Sequence, residues 1–215
     1  MPRKSENRIA SSSSGIWVLV ELSTGTLHPV SAELLGKARE LASSRPQRIT
    51  AVAMGPLSNE NFNALAVSGA DTVIAVTLPH PEHFKEEERA AILARLIDQY
   101  RPAVVLAGAT IQGRSLLPRV AALVDCGLTA DCTGLEFDAQ TGALLQTRPA
   151  FGGSLMATIR SDDFMPQMAT VRPGVMRAST FVPTQRPQLI IESLRDSEKC
   201  TLKSIIEIMA NPSNG

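Results

Sequence analysis

The chain has no excess of charge of either sign, because 21 Lys and Arg residues balance 21 Asp and Glu residues among 215. Proteins that hold nucleic acid through a basic surface usually carry a clear positive balance, so no nucleic-acid partner is expected. No apolar run approaches the roughly 20 residues that span a bilayer, and residues 1–15 lack the apolar core of a secretory signal. We therefore expect a soluble, cytoplasmic protein without membrane insertion, or a mitochondrial matrix protein if the source is eukaryotic.

Cysteine and histidine, the residues of disulfides and of many metal sites, are both scarce. Cys126, Cys132 and Cys200 are odd in number and form no C-x-x-C pair, which argues against a disulfide framework and against a zinc ribbon. His80 and His83 lie among prolines, a pattern more typical of a solvated loop than of a metal site. The sequence therefore predicts reduced thiols and no metal.

The first half of the chain alternates strands with helices. Near-continuous apolar runs, typical of parallel strands buried on both faces, occupy residues 16–21, 49–54, 71–76 and 103–108. Amphipathic patterns with helix-start and helix-stop signals predict helices at 31–42, with Ser31 as the N-cap, and at 59–68, 86–100 and 114–124. This order predicts an α/β class: a Rossmann-like, mostly parallel sheet with helices on both faces.

From residue 127 to residue 175 the pattern changes to consecutive short strands, which we expect to be partly antiparallel and to extend or flank the sheet. Strand alternation predicts Thr129, Asp131 and Thr133 on one face and Cys132 on the other. We expect Asp131 to have a structural or interface role, bonded to backbone or to an arginine. Cys132 is predicted to be a small core residue.

Two arginines in this region stand next to proline. Arg148 precedes Pro149, and Arg172 precedes Pro173. Proline pushes the preceding residue towards extended backbone, so both side chains should have defined directions. A guanidinium group in a fixed position suits an anion or a flat polar ring.

Residues 108–115, GATIQGRS, differ by one residue from the phosphate-binding pattern G-x-x-x-x-G-K-[ST]. Arg114 stands where the pattern has Lys, and a planar guanidinium replaces that compact ammonium poorly. We predict a tight strand-to-helix turn, with Arg114 directed towards a neighbouring loop or subunit. Nucleotide hydrolysis is not expected.

Three segments together resemble the N-terminal domain of electron-transfer flavoprotein alpha subunits: GLTADCT at 127–133, TRPAFGG at 147–153 and PQMATVRPGV at 166–175. The resemblance covers roughly residues 16–177. It implies an electron-carrier subunit that is not an enzyme alone and that pairs with a beta subunit. It also implies transfer of electrons from dehydrogenases to a downstream acceptor through FAD held by the complete heterodimer, with little tight binding by the isolated chain.

The resemblance further implies that Arg148, Gly152, Gly153 and Ser154 lie near a flavin bound mainly by the beta subunit. A fixed positive charge there stabilises the anionic reduced forms of a flavin. Members often have Asn where this chain has Ser154, so an amide contact is altered at that point. The sequences of these segments resemble the family branch that carries two FADs and bifurcates electrons more than the branch that carries one FAD and AMP. A purely structural turn at 147–153 is the alternative interpretation.

We divide the chain into a disordered extension at 1–15, the α/β domain at 16–177, and a linker or tail at 178–215 with a strand at 189–193 and a helix at 201–210. A presequence is the alternative for the basic, Ser-rich extension. Alpha subunits of this family continue into a second domain with most of the FAD contacts, and nothing resembling it follows here. The chain is therefore expected to be either a fragment of such a subunit or a naturally truncated relative.

Two other functions remain open from sequence. The first is a stand-alone α/β module that binds adenine nucleotides at the strand ends, as doubly wound sheets often do. The second is a structural remnant that pairs with a beta subunit and transfers no electrons.

Overall fold

The computed structural model describes residues 13–23, 25–78, 84–161, 163–183 and 185–195. The predicted helix at 201–210, Cys200, His80 and His83 lie outside these residues. Within them the chain is an α/β fold with a mostly parallel sheet, as predicted.

The described residues contain four helices and twelve strands. The helices are α1 (Pro29–Ser44), α2 (Asn59–Ser68), α3 (Glu86–Tyr100) and α4 (Ile111–Val124). The strands are β1 (Ile16–Val20), β2 (Leu22–Ser23), β3 (Thr26–Leu27), β4 (Ile49–Met54), β5 (Thr72–Val76), β6 (Val104–Gly108), β7 (Leu128–Cys132), β8 (Gly134–Phe137), β9 (Leu144–Ala150), β10 (Leu155–Arg160), β11 (Gln167–Val171) and β12 (Gln188–Glu192).

The main sheet has seven strands in the order β12-β5-β4-β1-β6-β11-β7, and neighbouring strands pair in parallel. The strand order reverses between β1 and β6. The chain first adds β4 and β5 on one side of β1, and then adds β6 on the other side of β1. A second sheet, β10-β9-β8, is antiparallel and flanks the first. The change at residue 127 therefore adds both parallel and antiparallel strands.

Apolar side chains cover both faces of the main sheet. On one face α1 and α2 bury residues such as Leu34 and Leu65, and the flanking sheet adds Leu144. On the other face α3 and α4 bury residues such as Leu93 and Leu117. Complete burial of a Leu or Ile side chain contributes about 1.5–3 kcal/mol, so these two layers supply the main force that holds helices to the sheet.

Two helices begin earlier than the sequence predicts. Helix α1 begins at Pro29, and its N-cap is His28, whose Nδ1 accepts a hydrogen bond from Val30 N at 3.2 Å. Ser31, the predicted cap, is buried inside the helix, where its Oγ accepts a hydrogen bond from Glu21 N at 3.0 Å. Ser31 therefore ties the helix to the end of β1. Helix α4 begins at Ile111, not at residue 114, because Thr110 caps it by accepting from Gly113 N.

The predicted face alternation of β7 is wrong. Thr129 and Cys132 are both buried, and Asp131 is partly exposed between them. The register between β7 and β11 shifts at this point, and Asp131 has a positive φ of 60°. A bulge of this kind inserts one residue and reverses the faces that follow it.

Strand β12 is the edge of the main sheet, although the sequence analysis assigns it to the linker or tail. It pairs in parallel with β5. Its last residue, Glu192, accepts a hydrogen bond from Tyr100 Oη at 2.6 Å. Glu192 also forms an ion pair with Arg95 at 3.3 Å. At the other end of the domain, Ser14 N donates to Arg101 O at 3.1 Å, so backbone contacts begin before residue 16.

The GATIQGRS segment forms the predicted tight turn between β6 and α4. A Cβ atom at Gly113 would overlap the carbonyl oxygen of Gly108, so the helix approaches the strand more closely than a larger residue allows. The two glycines of the segment therefore serve close packing of helix on strand.

We expect Gly113→Ala to lower the free energy of unfolding by about 1–3 kcal/mol, because overpacking moves backbone or neighbouring side chains. The higher helix propensity of Ala opposes this loss by about 1 kcal/mol at most. Urea unfolding followed by circular dichroism measures the change. Gly127→Ala is the matched control, since its Cβ meets only ordinary contacts, and it should stay within about 0.5 kcal/mol. Equal stability of Gly113→Ala and the original chain would contradict the close approach.

Candidate functional site

Asp131 and Arg172 form an ion pair at the carboxyl ends of β7 and β11. Arg172 Nη2 lies 2.6 Å from Asp131 Oδ2, and its Nε lies 3.3 Å from Oδ1. The backbone supports this arrangement, because Arg172 N donates to Cys132 O at 2.9 Å and Asp131 N donates to the hydroxyl of Thr170 at 3.0 Å. The bulge in β7 thus presents the Asp131 carboxylate to a two-point contact with one guanidinium.

Two further arginines surround this carboxylate. Arg114, in the first turn of α4, lies 3.6 Å from Asp131 Oδ1. Arg148, on β9, is close enough for its charge to act on Asp131 and Cys132. We call Arg114, Arg148 and Arg172 the arginine cluster. Three guanidinium groups around one carboxylate leave an excess of positive charge at this edge of the sheet.

The arginine cluster lowers the pKa of the Asp131 carboxyl. The hydrogen bond from Arg172 is the main cause; partial burial opposes it, and the charges of Arg172, Arg114 and Arg148 add to it. Asp131 is therefore a carboxylate at neutral pH, and its structural pairing with an arginine agrees with the expectation from sequence.

Arg148 differs from the other two arginines in its contacts. Among the described residues no hydrogen bond or ion pair to its guanidinium is found, whereas Arg114 and Arg172 are both paired with Asp131. Its extended position on β9, beside Pro149, was predicted. Arg148 shares a face of β9 with Gln146, which is fully buried. Arg148 therefore extends from a buried row of the flanking sheet and keeps its hydrogen-bond donors available.

Strands β9 and β10 form a hairpin that carries the other predicted site residues. Its turn, Phe151–Gly153, has positive φ at all three residues, and nothing lies within 4 Å of a Cβ at Gly152 or Gly153. The glycines therefore serve the backbone conformation and leave their surface open. Ser154 Oγ donates to Phe151 O at 2.9 Å, so its hydroxyl closes the turn.

The hairpin also exposes three large apolar side chains, a feature that the sequence did not reveal. Phe151 is 84% exposed at the turn, and Leu155 and Met156 on β10 are each 59% exposed. Leu155 and Met156 are consecutive on the strand and therefore point to opposite faces of the hairpin. The alternation of β10 gave little signal, because both faces of this strand are exposed.

Cys132 is a core residue, as predicted. It is fully buried, and burial raises the pKa of its thiol to about 11, with the charge of Arg148 opposing the shift. A thiol at such a pKa is protonated and a poor nucleophile at neutral pH. In the described part of the chain no group of three or more His, Cys, Asp or Glu residues is arranged to hold a metal ion.

The family model of the electron transfer flavoprotein domain matches residues 16–196. The chain belongs to the electron transfer flavoprotein family. This family contains flavoproteins, and the chain has the α/β fold that the sequence resemblance implied.

Curated relatives cover most of this chain. The chain is 48% identical over 176 residues to the electron transfer flavoprotein subunit alpha of Thermoanaerobacterium thermosaccharolyticum. The aligned stretch covers 81% of this chain and 53% of that protein. The chain is 44% identical over 195 residues to the lactate dehydrogenase (NAD(+),ferredoxin) subunit LctC of Acetobacterium woodii, covering 91% and 46%. Protein FixB of Bradyrhizobium diazoefficiens is 41% identical over 182 residues, covering 83% and 49%. The chain thus spans about half the length of these relatives.

None of the helices in the described residues has the length and apolar character needed to cross a membrane. The arginine cluster, the hairpin and the ends of β7 and β11 all fall within the stretch that matches the electron transfer flavoprotein domain.

We expect Asp131→Asn to destabilise the fold by about 0.5–1 kcal/mol at pH 7, the size of a partly exposed ion pair. Because the folded pKa of Asp131 is depressed, its contribution is present above the unfolded value and is lost as pH falls through the folded pKa. Urea titrations from pH 7 to pH 3 should show the difference between the two proteins shrink below about pH 4.

Asn tolerates positive φ, so this substitution isolates the charge from the backbone conformation. Exposed Asp163 provides the control, Asp163→Asn, which should leave stability within about 0.5 kcal/mol. A difference for Asp131→Asn that stayed constant down to pH 3 would show that the ion pair is not its cause.

Proposed function

We propose that this chain supplies the N-terminal domain of an electron-transfer flavoprotein alpha subunit. In this proposal it pairs with a beta subunit and supports flavin-mediated transfer of electrons from dehydrogenases to a downstream acceptor. The observation that carries the proposal is Arg148, a guanidinium without a hydrogen-bond partner among the described residues, which lies near Asp131 on the strand that leads into an open glycine turn.

The residues at this position fit a flavin. A guanidinium group donates hydrogen bonds in a plane and carries a permanent charge, which suits the polar edge of a flat ring. Gly152 and Gly153 leave room for close approach of such a ring to the backbone. The bound FAD supplies the oxidation and reduction chemistry, while Arg148, Gly152, Gly153 and Ser154 orient it and set its electrostatic surroundings.

The exposed apolar side chains of the hairpin support a protein partner. Phe151, Leu155 and Met156 lie on the same hairpin as Arg148. A beta subunit that packs around this hairpin would bury them and bring its own flavin to the arginine cluster. In this proposal the isolated chain holds FAD only weakly, because it provides one side of the site.

The arginine cluster offers charge and hydrogen-bond donors, which are tools for orientation and not for covalent catalysis. We therefore propose that the chain alone is an electron-carrier component and not an enzyme, and that it acts in the cytoplasm. We include complexes of the bifurcating type, because the 44% identical LctC protein has both NAD(+) and ferredoxin in its name.

The stand-alone adenine-nucleotide module is less well supported. In doubly wound sheets nucleotides bind at the carboxyl ends of strands where the strand order reverses. In this chain the described residues that line that crevice include two carboxyl groups, Glu21 and Glu86, and one basic side chain, Arg89. Excess negative charge repels phosphate groups, so this crevice does not favour AMP or ATP.

Assembly is tested by mixing the purified chain with FAD and a cognate beta subunit, then measuring the mass of the complex and the visible flavin spectrum. A heterodimer that retains flavin is expected. Failure of the two proteins to associate, together with nucleotide binding by the chain alone, would contradict the proposal and favour the stand-alone module.

We expect Arg148→Ala to lower the flavin reduction potential of the assembled complex. Loss of a charge interaction of about 1 kcal/mol corresponds to roughly 40 mV for a one-electron couple. Arg148→Lys keeps the charge and should restore most of the potential without the planar contacts. Spectroelectrochemical titration of the three complexes measures these changes.

Arg45→Ala is the charge-matched control. Arg45 lies outside the arginine cluster and donates a hydrogen bond to Gly142 O at 3.1 Å. This substitution should leave the potential unchanged. A normally assembled Arg148→Ala complex with unchanged potential and flavin content would remove Arg148 from the site.

A further inference from the structure

A hollow of about 850 Å³ lies at the carboxyl ends of β1 and β4, against the first turns of α3 and α4. Its α4 wall follows β6, so the hollow adjoins the point between β1 and β6 where the strand order of the main sheet reverses. Crevices at that position bind small ligands in many open α/β sheets. The hollow is separate from the arginine cluster, with which it shares no lining residue.

Most of the lining is apolar. The apolar residues come from the end of β1, from β2, from β4 and from α4, and include Leu19, Leu22, Met54, Ile111 and Leu116. Ile111 is 92% exposed at the start of α4, an unusual position for a large aliphatic side chain. A lining of this kind favours a ligand with an apolar body over a fully hydrated ion.

Glu21 is the buried charged group of the hollow. The residue is only 7% exposed. Its Oε1 accepts a hydrogen bond from Thr110 Oγ1 at 2.8 Å. Burial raises the pKa of this carboxyl, while the hydrogen bond from Thr110 and the charge of His28 oppose the shift. A carboxylate that is largely buried is costly to keep charged unless it is paired or hydrogen-bonded, and a cationic ligand would offset that cost.

Glu86 also lines the hollow. It is the first residue of α3, and its Oε2 is buried without a hydrogen-bond partner among the residues that the structure describes. Arg89, one turn later, also lines the hollow, and its Nε lies 3.4 Å from the carbonyl oxygen of Phe84. Among the described residues, the hollow is therefore lined by two carboxyl groups, one of which has a buried oxygen without a donor, and by one basic group.

We propose that this hollow binds a small organic cation with an apolar body and a protonated amine or amidine head. The head donates hydrogen bonds to Glu21 and Glu86, and the body packs on the apolar lining around Leu19, Met54 and Ile111. The same charges exclude carboxylates and phosphates. The site requires no beta subunit and no flavin, so its test is independent of the proposed electron-transfer function.

Benzamidine combines an apolar ring with an amidinium head and serves as the probe, with benzoate as a ligand of similar shape and opposite charge. Isothermal titration of the 215-residue chain at pH 7.5 should show saturable binding of one benzamidine and no binding of benzoate. Glu21→Gln and Glu86→Gln should each weaken benzamidine binding by about tenfold, since each loses a charge-assisted hydrogen bond.

Glu136→Gln is the control, because Glu136 is exposed on β8 and does not line the hollow. It should bind benzamidine as the original chain does, and circular dichroism melting of all variants checks the fold. If Glu21→Gln melts early, Glu86→Gln decides alone. Absence of benzamidine binding, equal binding of benzoate, tighter binding of AMP, or an equal loss in Glu136→Gln would each overturn the proposal.

Discussion

Parallel pairing of seven strands aligns the carboxyl ends of those strands on one edge of the main sheet. Asp131 and Arg172 meet there because β7 and β11 are neighbours, and Arg114 joins them from the helix that follows β6. Glu21 meets Thr110 for the same reason, since β1 and β6 are also neighbours. The close approach of α4 to β6, which Gly113 permits, holds Arg114 and Thr110 at this edge.

The two groups along this edge carry opposite charge. The arginine cluster lies at β7 and β11, beside the flanking antiparallel sheet, and the carboxyl groups of Glu21 and Glu86 lie near β1 and β4. Charges of one sign in a partly buried site raise the local concentration of ligands of the other sign. The side of the sheet formed by the carboxyl ends of its strands can therefore attract an anionic or flat polar group near β7 and β11 and repel it near β1 and β4.

Much of the fold follows from local sequence signals, and the exceptions follow from contacts between distant residues. Helices α2 and α3 begin and end where the sequence predicts, and Gly69 closes α2 with a φ of 111°. Helix α1 differs because His28 acts as the cap and Ser31 bonds to β1 instead. The bulge at Asp131 depends on the register of β7 against β11, which no local pattern reveals.

In the candidate site, too, some features follow from local sequence signals and others depend on contacts between distant residues. Arg148 and Arg172 were identified from the prolines beside them, and an arginine partner was expected for Asp131. Their convergence required the order of the strands. The apolar surface of the hairpin gave no periodic signal, because β10 is exposed on both faces. Glu21 directly follows a buried strand, a position that could have indicated a group at the sheet edge.

In the proposed assembly the hairpin and the arginine cluster face a flavin-bearing partner. Hydrogen–deuterium exchange of the chain, alone and with a flavin-loaded beta subunit, measures whether they do. We predict slower exchange in residues 144–160 and 170–175 of the complex, with little change in β12 at the opposite edge of the sheet. Protection confined to β12, with unchanged exchange in the hairpin, would contradict the account.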